Sequence, residues 1–295
     1  MTAPRPADRG TAREIGRFLE IQNLGLNLPF ALAFLLVAAG GLPSLRVFVL
    51  VVVAFVAARN AGHSFNRWVD RELDRANPRT QDRALVTGRF SGRWALGIAA
   101  GSSAIVVLCA ALLNPLALAL SPVALALVLG YSYTKRLGWG TTVFLGLVQS
   151  VNPAAAYVAV LGALPYAALL AVVGMLAWGT SFETIHSLGD VASDRALGLP
   201  TIPTRFGVPG SVRLIPVLHG AAIACFASYG IAAGLSWPYF LALAAVAVLV
   251  AGIDGLVRRR PTEARQPFQL HFALGAAFLV GVAVAVFVPG LLPLP

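Results

Sequence analysis

Residues 45–66 read LRVFVLVVVAFVAARNAGHSFN, an apolar run that is typical of a membrane-spanning helix. A helix needs roughly 20 mainly apolar residues to cross the hydrocarbon core of a bilayer, and this run has that length. The same character extends over the whole chain, in which 58% of the 295 residues are hydrophobic and only 12% are charged. Soluble domains carry about 25% charged residues, so the composition excludes a soluble globular protein and favours a membrane domain.

Eight further apolar runs of similar length predict an all-α, polytopic membrane protein with nine transmembrane helices. They leave no room for a large soluble domain. Residues 21–295 are therefore predicted to form a single transmembrane domain, preceded by a cytoplasmic segment at residues 1–20. The predicted spans are 24–42, 45–66, 94–113, 116–133, 139–161, 165–187, 210–232, 236–256 and 270–288.

Basic residues are distributed unevenly between the two ends of the predicted helices. If nine spans alternate in direction, 20 of the 22 lysines and arginines fall on one side. Cytoplasmic loops carry such an excess, so the sequence predicts a protein of the cell membrane with a cytoplasmic N-terminus and an external C-terminus. The net charge of +10 is interpreted as a consequence of this topology and not as a surface for nucleic acid.

Two acidic motifs share one internal spacing. The first is NRWVDRELD at residues 66–74, and the second is HSLGDVASD at residues 186–194, so that the two are offset by 120 residues. Each follows an apolar run, and a spacing of four residues places the polar positions on one face of a helix. The pattern predicts a duplicated functional unit at the cytoplasmic ends of two helices. Its polar positions are Asn66, Asp70, Asp74, His186, Asp190 and Asp194.

Four carboxylates at the ends of two converging helices repel one another unless a cation lies between them. Mg²⁺ suits this position because it binds carboxylate oxygens together with substrate phosphates and water. One such motif alone is often a set of solvated loop charges, but two matched copies favour a functional site because acids near a membrane are costly. The motifs therefore predict Mg²⁺ that bridges the acids to a diphosphate. The basic residues predicted to hold the remaining phosphate oxygens are Arg67, Arg71, Arg75, Lys135, Arg136 and Arg205.

At these motifs the chain resembles the UbiA-type intramembrane prenyltransferase superfamily, and its 4-hydroxybenzoate polyprenyltransferase branch in particular. NRWVDRELDRANPRTQDRALVTGRFS at residues 66–91 resembles the first aspartate-rich motif of that branch, and GDVASDRALGLPTIPTRFG at 189–207 resembles the second. YSYTKR at 131–136 is similar to the segment that follows the fourth helix. The likeness covers essentially the whole chain. EIQNLGLNLPFA at 20–31 is also similar to the naphthoate-prenylating menaquinone branch, and DRALGLP at 194–200 to chlorophyll synthases.

The resemblance implies a ring of helices around a central cavity, under a cytoplasmic cap and with a lateral opening to lipid. The implied activity is transfer of a polyprenyl group from its diphosphate to an aromatic acceptor in quinone biosynthesis, with Mg²⁺ as cofactor. Arg67 and Lys135 would contact phosphate, and Asn66, Asp70 and Asp190 would take part in catalysis. The residues implied to hold Mg²⁺ and the diphosphate are Asn66, Asp70, Asp74, Asp190 and Asp194.

Arg59 and His63 continue the polar stripe of the first motif deeper into the predicted membrane. An arginine at that depth should face the protein interior. There it either binds the carboxylate of an aromatic acceptor or pairs with Glu183. Glu183 and His186 are the other candidates for acceptor contact, and the residues leave open whether Asp190, Glu183, His186 or the departing diphosphate takes the ring proton.

Several functions remain open at this point. The first is a Mg²⁺-dependent aromatic polyprenyltransferase, and the second keeps the donor but uses a dihydroxynaphthoate, a glycerol phosphate ether lipid or a chlorin as acceptor. The third is a transporter of an anionic lipid or a metal. Transporters place their charges near the middle of the membrane, whereas these acids lie at the cytoplasmic rim, so the motifs disfavour transport.

Overall fold

The computed structural model describes residues 14–78, 80–134, 140–263 and 265–288. Within these residues the chain forms helices joined by turns and loops, with no strand, as the sequence predicts. A short 3-10 helix, Ile21–Leu26, precedes the first of the labelled α-helices. These are α1 Leu28–Ala39, α2 Leu45–Val69, α3 Arg71–Ala76, α4 Gly92–Leu113, α5 Pro115–Thr134, α6 Thr141–Leu161, α7 Tyr166–Gly189, α8 Val191–Ala196, α9 Ile202–Ala232, α10 Trp237–Arg259 and α11 Arg265–Phe287.

Eight of the helices in the described part of the chain are long and apolar enough to cross a membrane. They are α2, α4 to α7 and α9 to α11. The predicted first span corresponds to α1, whose 12 residues are too few to cross alone. Together with the preceding segment Glu14–Leu26, α1 forms a pair of helices bent by 50° that passes the same test as one broken span. The count of nine spans, the cytoplasmic cap and the side of each terminus stay predictions.

The helix α9 begins eight residues before its predicted start because the sequence supplies a helix cap there. The side chains of Thr201 and Thr204 each accept a hydrogen bond from the other's backbone N–H, which is a capping box. At Gly207 the chain leaves helical geometry, with φ 73° and ψ 165°, a positive φ that glycine adopts without steric cost. The first turn of α9 is thereby separated from the long apolar part that was predicted from the hydropathy.

The long helices pack in sequence around the bundle. Helix α2 contacts α4 and α5, and the chain of contacts continues from α5 to α6, α7, α9, α10 and α11. Helix α11 then contacts α1, which packs against α6. The part of the bundle made of α1, α6, α7 and α9 to α11 therefore encloses a common core, and α2, α4 and α5 extend it on one side.

Aromatic side chains fill the core between α1, α7, α9 and α11. Phe30 and Phe34 of α1 lie against Phe278 of α11, with ring centroids 5.3 and 5.8 Å apart. Phe226 of α9 packs on the same ring at 5.3 Å, and Trp178 of α7 lies 5.6 Å from Phe30. All five rings are nearly inaccessible. This half of the bundle is closely packed, which leaves the space for a cavity between α2, α4, α5, α6 and α7.

Candidate functional site

A cavity of about 750 Å³ lies between α1, α2 and α4 to α7. One end is polar and is lined by residues of both acidic motifs, including Asn66, Asp74, Asp190 and Asp194. The other walls are mostly aliphatic and extend along α5 and α6 to Ala159 near the far end of α6. A ligand that fits this shape has an anionic head and a long apolar body.

The two acidic motifs adopt the same backbone structure. In the first, α2 ends at Val69, Asp70 has φ −88° and ψ 7°, and the six-residue helix α3 follows. In the second, α7 ends at Gly189, Asp190 has φ −102° and ψ 4°, and the six-residue helix α8 follows. The prediction that each motif lies on one continuous helix is therefore wrong. Aspartate often caps helices, and here the central aspartate of each motif ends the long helix.

The i, i+4 relation within each motif nevertheless survives the interruption. The backbone N–H of Asp74 donates to the carbonyl of Asp70 at 2.8 Å, and Asp194 donates to Asp190 at the same distance. The last aspartate of each motif thus stays one turn beyond the central one. The duplication predicted from the spacing is a structural duplication as well.

The side chains of the first motif are buried and hydrogen-bonded. Asn66 Nδ2 donates to Asp70 Oδ2 at 2.9 Å, and Asp70 is 1% exposed. Arg83 Nη1 donates to both carboxylate oxygens of Asp74, at 2.8 and 2.7 Å. Thr80 Oγ1 donates to the Asp74 carbonyl at 3.0 Å and so ties the following loop to the motif. Arg83 provides the positive charge that a buried carboxylate needs.

The second motif lines the same cavity as the first. His186 Nε2 is 4.0 Å from Asp190 Oδ2, and Asp194 is 9% exposed. Tyr131 of α5 donates from its hydroxyl to Glu183 Oε1 at 3.4 Å. All of these residues line the cavity.

The donor atoms at this end of the cavity fit a hard divalent cation. Asp and Asn oxygens are the ligands that Mg²⁺ prefers in proteins, and they come from both motifs. Within residues 14–78, 80–134, 140–263 and 265–288, no three His, Cys, Asp or Glu side chains converge closely enough to hold one ion. Mg²⁺ usually keeps water and substrate phosphates among its six ligands, so it needs only a few oxygens from the protein.

Arg67 is the predicted phosphate-binding residue that the structure places in the cavity wall. It is 7% exposed, and its Nη2 lies 2.8 Å from Glu20 Oε1. Its guanidinium also lies over the Phe18 ring, 5.2 Å from the centroid. Arg71 is half-buried and Arg205 is exposed, and neither side chain belongs to the cavity lining.

Two further residues that were predicted to bind phosphate, Lys135 and Arg136, lie outside the described residues. Their assignment to the diphosphate therefore stays a prediction from sequence. Arg75, also in that set, is exposed and pairs with Glu72 of the same short helix α3.

Arg59 and His63 line the cavity on the α2 side, as the polar stripe predicts. Of the two alternatives left open for Arg59, pairing with Glu183 is not what the structure shows. Its Nη1 donates to the carbonyl of Leu19 at 2.7 Å, whereas Glu183 accepts from the hydroxyl of Tyr131 on α5. This pairing arises because the N-terminal segment covers α2 at this level, which hydropathy does not predict.

Sequence reasoning missed three cavity residues, namely Glu20, Arg83 and Tyr131 as a partner of Glu183. Glu20 is the one non-glycine residue with a positive φ in the described chain, at 50°. Such backbone geometry is uncommon for non-glycine residues and often marks functional positions. The sequence contained one signal for Glu20. Only 12 acidic residues occur in the chain, and Glu20 is one of them and lies just before the first apolar run.

A helical membrane bundle whose cavity joins two matched acidic motifs to a long apolar channel has the architecture of an intramembrane transferase for isoprenoid diphosphates. Comparison with known proteins agrees, since residues 27–279 match the UbiA prenyltransferase family. The chain belongs to this family, and it is a membrane-embedded prenyltransferase. The transporter alternative is therefore not supported.

Individual relatives are similar over nearly the full chain. The 4-hydroxybenzoate octaprenyltransferase of Alkalilimnicola ehrlichii is 32% identical over 285 residues, which cover 94% of this chain and 92% of that protein. The apo structure of a UbiA homolog from Aeropyrum pernix K1 has a TM-score of 0.81 and 32% identity, covering 90% of this chain and 98% of that one. A UbiA homolog from Archaeoglobus fulgidus bound to GPP and Mg²⁺ has a TM-score of 0.70 at 18% identity, covering 92% and 99%. That last likeness supports the fold.

Proposed function

We propose that this prenyltransferase transfers a polyprenyl group from its diphosphate to an aromatic acid such as 4-hydroxybenzoate, with Mg²⁺ as cofactor, in quinone biosynthesis. The observation that carries the proposal is a single cavity in which both acidic motifs, a buried arginine and a long apolar channel meet. The diphosphate lies at the motifs, the prenyl chain follows the apolar walls, and the acceptor lies between them. Relatives with about a third of their residues identical are named for this activity.

The acidic motifs hold the donor headgroup. Asn66, Asp70, Asp74, Asp190 and Asp194 would hold Mg²⁺, which when bound stabilises the negative charge that develops on the leaving diphosphate. Arg67 and Arg83 line the same region and reach phosphate oxygens by exchanging their present partners, Glu20 and Asp74. Arginine suits this exchange because its fork of N–H donors matches either a carboxylate or a phosphate.

Arg59 is the proposed anchor of the acceptor carboxylate. It lies seven residues before Asn66 on α2, about 10 Å deeper at 1.5 Å per residue. One of its five N–H donors binds Leu19, which leaves others for a carboxylate in the cavity. An acceptor ring held there lies between the diphosphate site and the apolar channel, where an allylic carbon would be.

The reaction is an electrophilic alkylation. The allylic C–O bond breaks and its electron pair leaves with the diphosphate, while an electron-rich ring carbon bonds to the allylic carbon. The ring proton then passes to a base, for which Asp190, Glu183, His186 and the departing diphosphate are the candidates. The aliphatic walls exclude water, which would otherwise capture the allylic cation.

The proposal is tested with the purified full-length protein in lipid nanodiscs. Geranylgeranyl diphosphate and Mg²⁺ are supplied with 4-hydroxybenzoate, a dihydroxynaphthoate, a glycerol phosphate ether lipid or a chlorin, and products are identified by mass spectrometry. We expect prenylated 4-hydroxybenzoate as the main product and a transfer rate about a thousandfold lower with Asp190→Asn. The rate should be unchanged with Arg93→Gln, whose side chain is exposed at the start of α4. A main product from another acceptor would keep the donor site and overturn the acceptor assignment.

A further inference from the structure

The apolar part of the cavity extends over most of the thickness of the bundle. Along α6 its lining residues begin at Thr141, near the acidic end, and continue to Ala159. These 18 steps along a helix span about 27 Å at 1.5 Å per residue. Helix α5 lines the same channel in the opposite direction, from Tyr131 to Ala117. The channel is therefore nearly as long as the hydrocarbon core of a bilayer, which is about 30 Å thick.

The far end of this channel is formed by the connection between α4 and α5. Helix α4 ends at Leu113 and α5 begins at Pro115, so Asn114 alone joins them. Such a short connection holds two antiparallel helices close together. Leu113 and Ala117, on either side of the connection, both line the cavity.

The side chain of Asn114 fastens this connection to the end of α6. Its Nδ2 donates to the Val158 carbonyl at 2.8 Å, and its Oδ1 accepts from the Ala117 N–H at 2.9 Å. The Val158 carbonyl also accepts from the N–H of Gly162, which ends α6 with a positive φ of 61°. Leu113, Ala117, Val158 and Ala159 line the cavity at this end, and we call these four residues its floor. Asn114 ties the backbone of this wall together through the Val158 carbonyl and the Ala117 N–H. A wall tied in this way does not yield easily to a longer ligand.

We infer that this floor limits the length of the prenyl donor, and that the donor which fills the cavity is shorter than the octaprenyl chain named for the relatives. The inference rests on the proposed function, because it takes the apolar channel as the prenyl site. A fully extended chain gains about 1.2 Å per backbone bond, so the four bonds of an isoprene unit cover about 5 Å and 27 Å hold about five units. A chain of eight units must fold back or leave the bundle between two helices.

The test compares floor variants across a series of donors from geranyl to octaprenyl diphosphate. Ala117→Phe fills the space above the floor, and Ala119→Phe is the matched control on the same helix, because its side chain is exposed outside the cavity lining. With Ala117→Phe we expect kcat/KM for geranyl diphosphate to stay within about twofold of wild type, while that for a five-unit donor falls about tenfold or more. The control should follow the wild-type profile with every donor.

A second floor variant enlarges the cavity instead of filling it. It distinguishes a change in length preference from a general loss of stability. Leu113→Ala removes a side chain from the floor, so the most active donor should become longer by about one unit, which a destabilised protein would not show. Binding is measured in parallel as the rise in Tm that each donor causes, so the length preference is read without turnover. If both floor variants keep the wild-type length profile in binding and turnover, the tail leaves the cavity before the floor and the inference is wrong. If donors bind with this length preference but no acceptor is prenylated, the proposed function is wrong and the inference about donor length is retained.

Discussion

Replacing Arg59 with glutamine tests whether this arginine anchors the acceptor or only the N-terminal segment. The side chain lines the cavity and is partly buried, and its Nη1 donates to the Leu19 carbonyl at 2.7 Å. Glutamine removes the positive charge but keeps an N–H group that can still donate to a carbonyl. The substitution therefore abolishes an ionic contact with a carboxylate, whereas a hydrogen bond to the Leu19 carbonyl can still form.

The size of the effect follows from the contact that is lost. A hydrogen bond to a charged group contributes about 1.5–3 kcal/mol, and tenfold in affinity corresponds to about 1.4 kcal/mol. Loss of the carboxylate contact in Arg59→Gln should therefore raise the KM for 4-hydroxybenzoate by about 10- to 150-fold. The KM for the donor should change less than about threefold, because the diphosphate lies about 10 Å away along α2.

The assay measures initial rates with saturating donor over a range of acceptor concentrations. The methyl ester of 4-hydroxybenzoate serves as the uncharged acceptor, and its KM should be nearly the same for wild type and variant. Arg93→Gln is the control, since that arginine is exposed and lies outside the cavity lining. If Arg59→Gln lowers Tm and leaves the KM for 4-hydroxybenzoate unchanged, Arg59 is a structural anchor for Leu19, and the carboxylate site must lie elsewhere.

Three further predictions concern the metal, the topology and the packing. Asp190→Asn should lower the transfer rate about a thousandfold without lowering Tm. EDTA should abolish transfer reversibly, and Mg²⁺ or Mn²⁺ but not Ca²⁺ should restore it. Near-normal turnover in EDTA would refute the metal site. In a background without the two native cysteines, Arg259→Cys should react with a thiol reagent added on the cytoplasmic side, and Ser236→Cys with the same reagent added on the external side. Labelling of both positions from one side would contradict the assignment of α10 as a span. His219 Nδ1 lies 2.8 Å from Asp254 Oδ1 outside the cavity lining, so His219→Ala should reduce the free energy of unfolding by about 3 kcal/mol, seen as a lower Tm with unchanged KM values. A wild-type Tm would show that this buried pair contributes nothing net.

Local patterns were sufficient to predict the helical membrane fold. The apolar run at residues 45–66 became most of α2, and seven of the other predicted spans match observed helices to within about five residues at each end. The acidic motifs were located for the same reason, because the spacing of residues along the chain is a local property. The start of α9 was less accurate, since a capping box at Thr201 begins α9 early. The first predicted span was located, but its helix α1 has only 12 residues and is too short to cross a membrane alone.

The partners of the charged residues were decided by tertiary structure. Arg67 meets Glu20 across 47 residues of sequence, and Arg59 meets the carbonyl of Leu19 across 40. Hydropathy and motif spacing do not predict contacts between residues so far apart in the sequence. These patterns show which face of a helix is polar, but they do not show which other segment packs against that face. The sequence therefore identified Arg59 as a cation that faces the protein interior, and it left open whether an acceptor carboxylate or Glu183, on another helix, is its partner.

The chain itself thus determined the helices, the class of ligand and the paired acidic motifs, all of which follow from the period and charge of short segments. Packing alone determined the shape of the cavity. The floor exists because Asn114 reaches the carbonyl of Val158, 44 residues further on, when α4, α5 and α6 come together. A backbone carbonyl is present in every residue and leaves no mark in a sequence, so the acceptor of that hydrogen bond, and the length of channel that it closes, became visible only in the folded bundle.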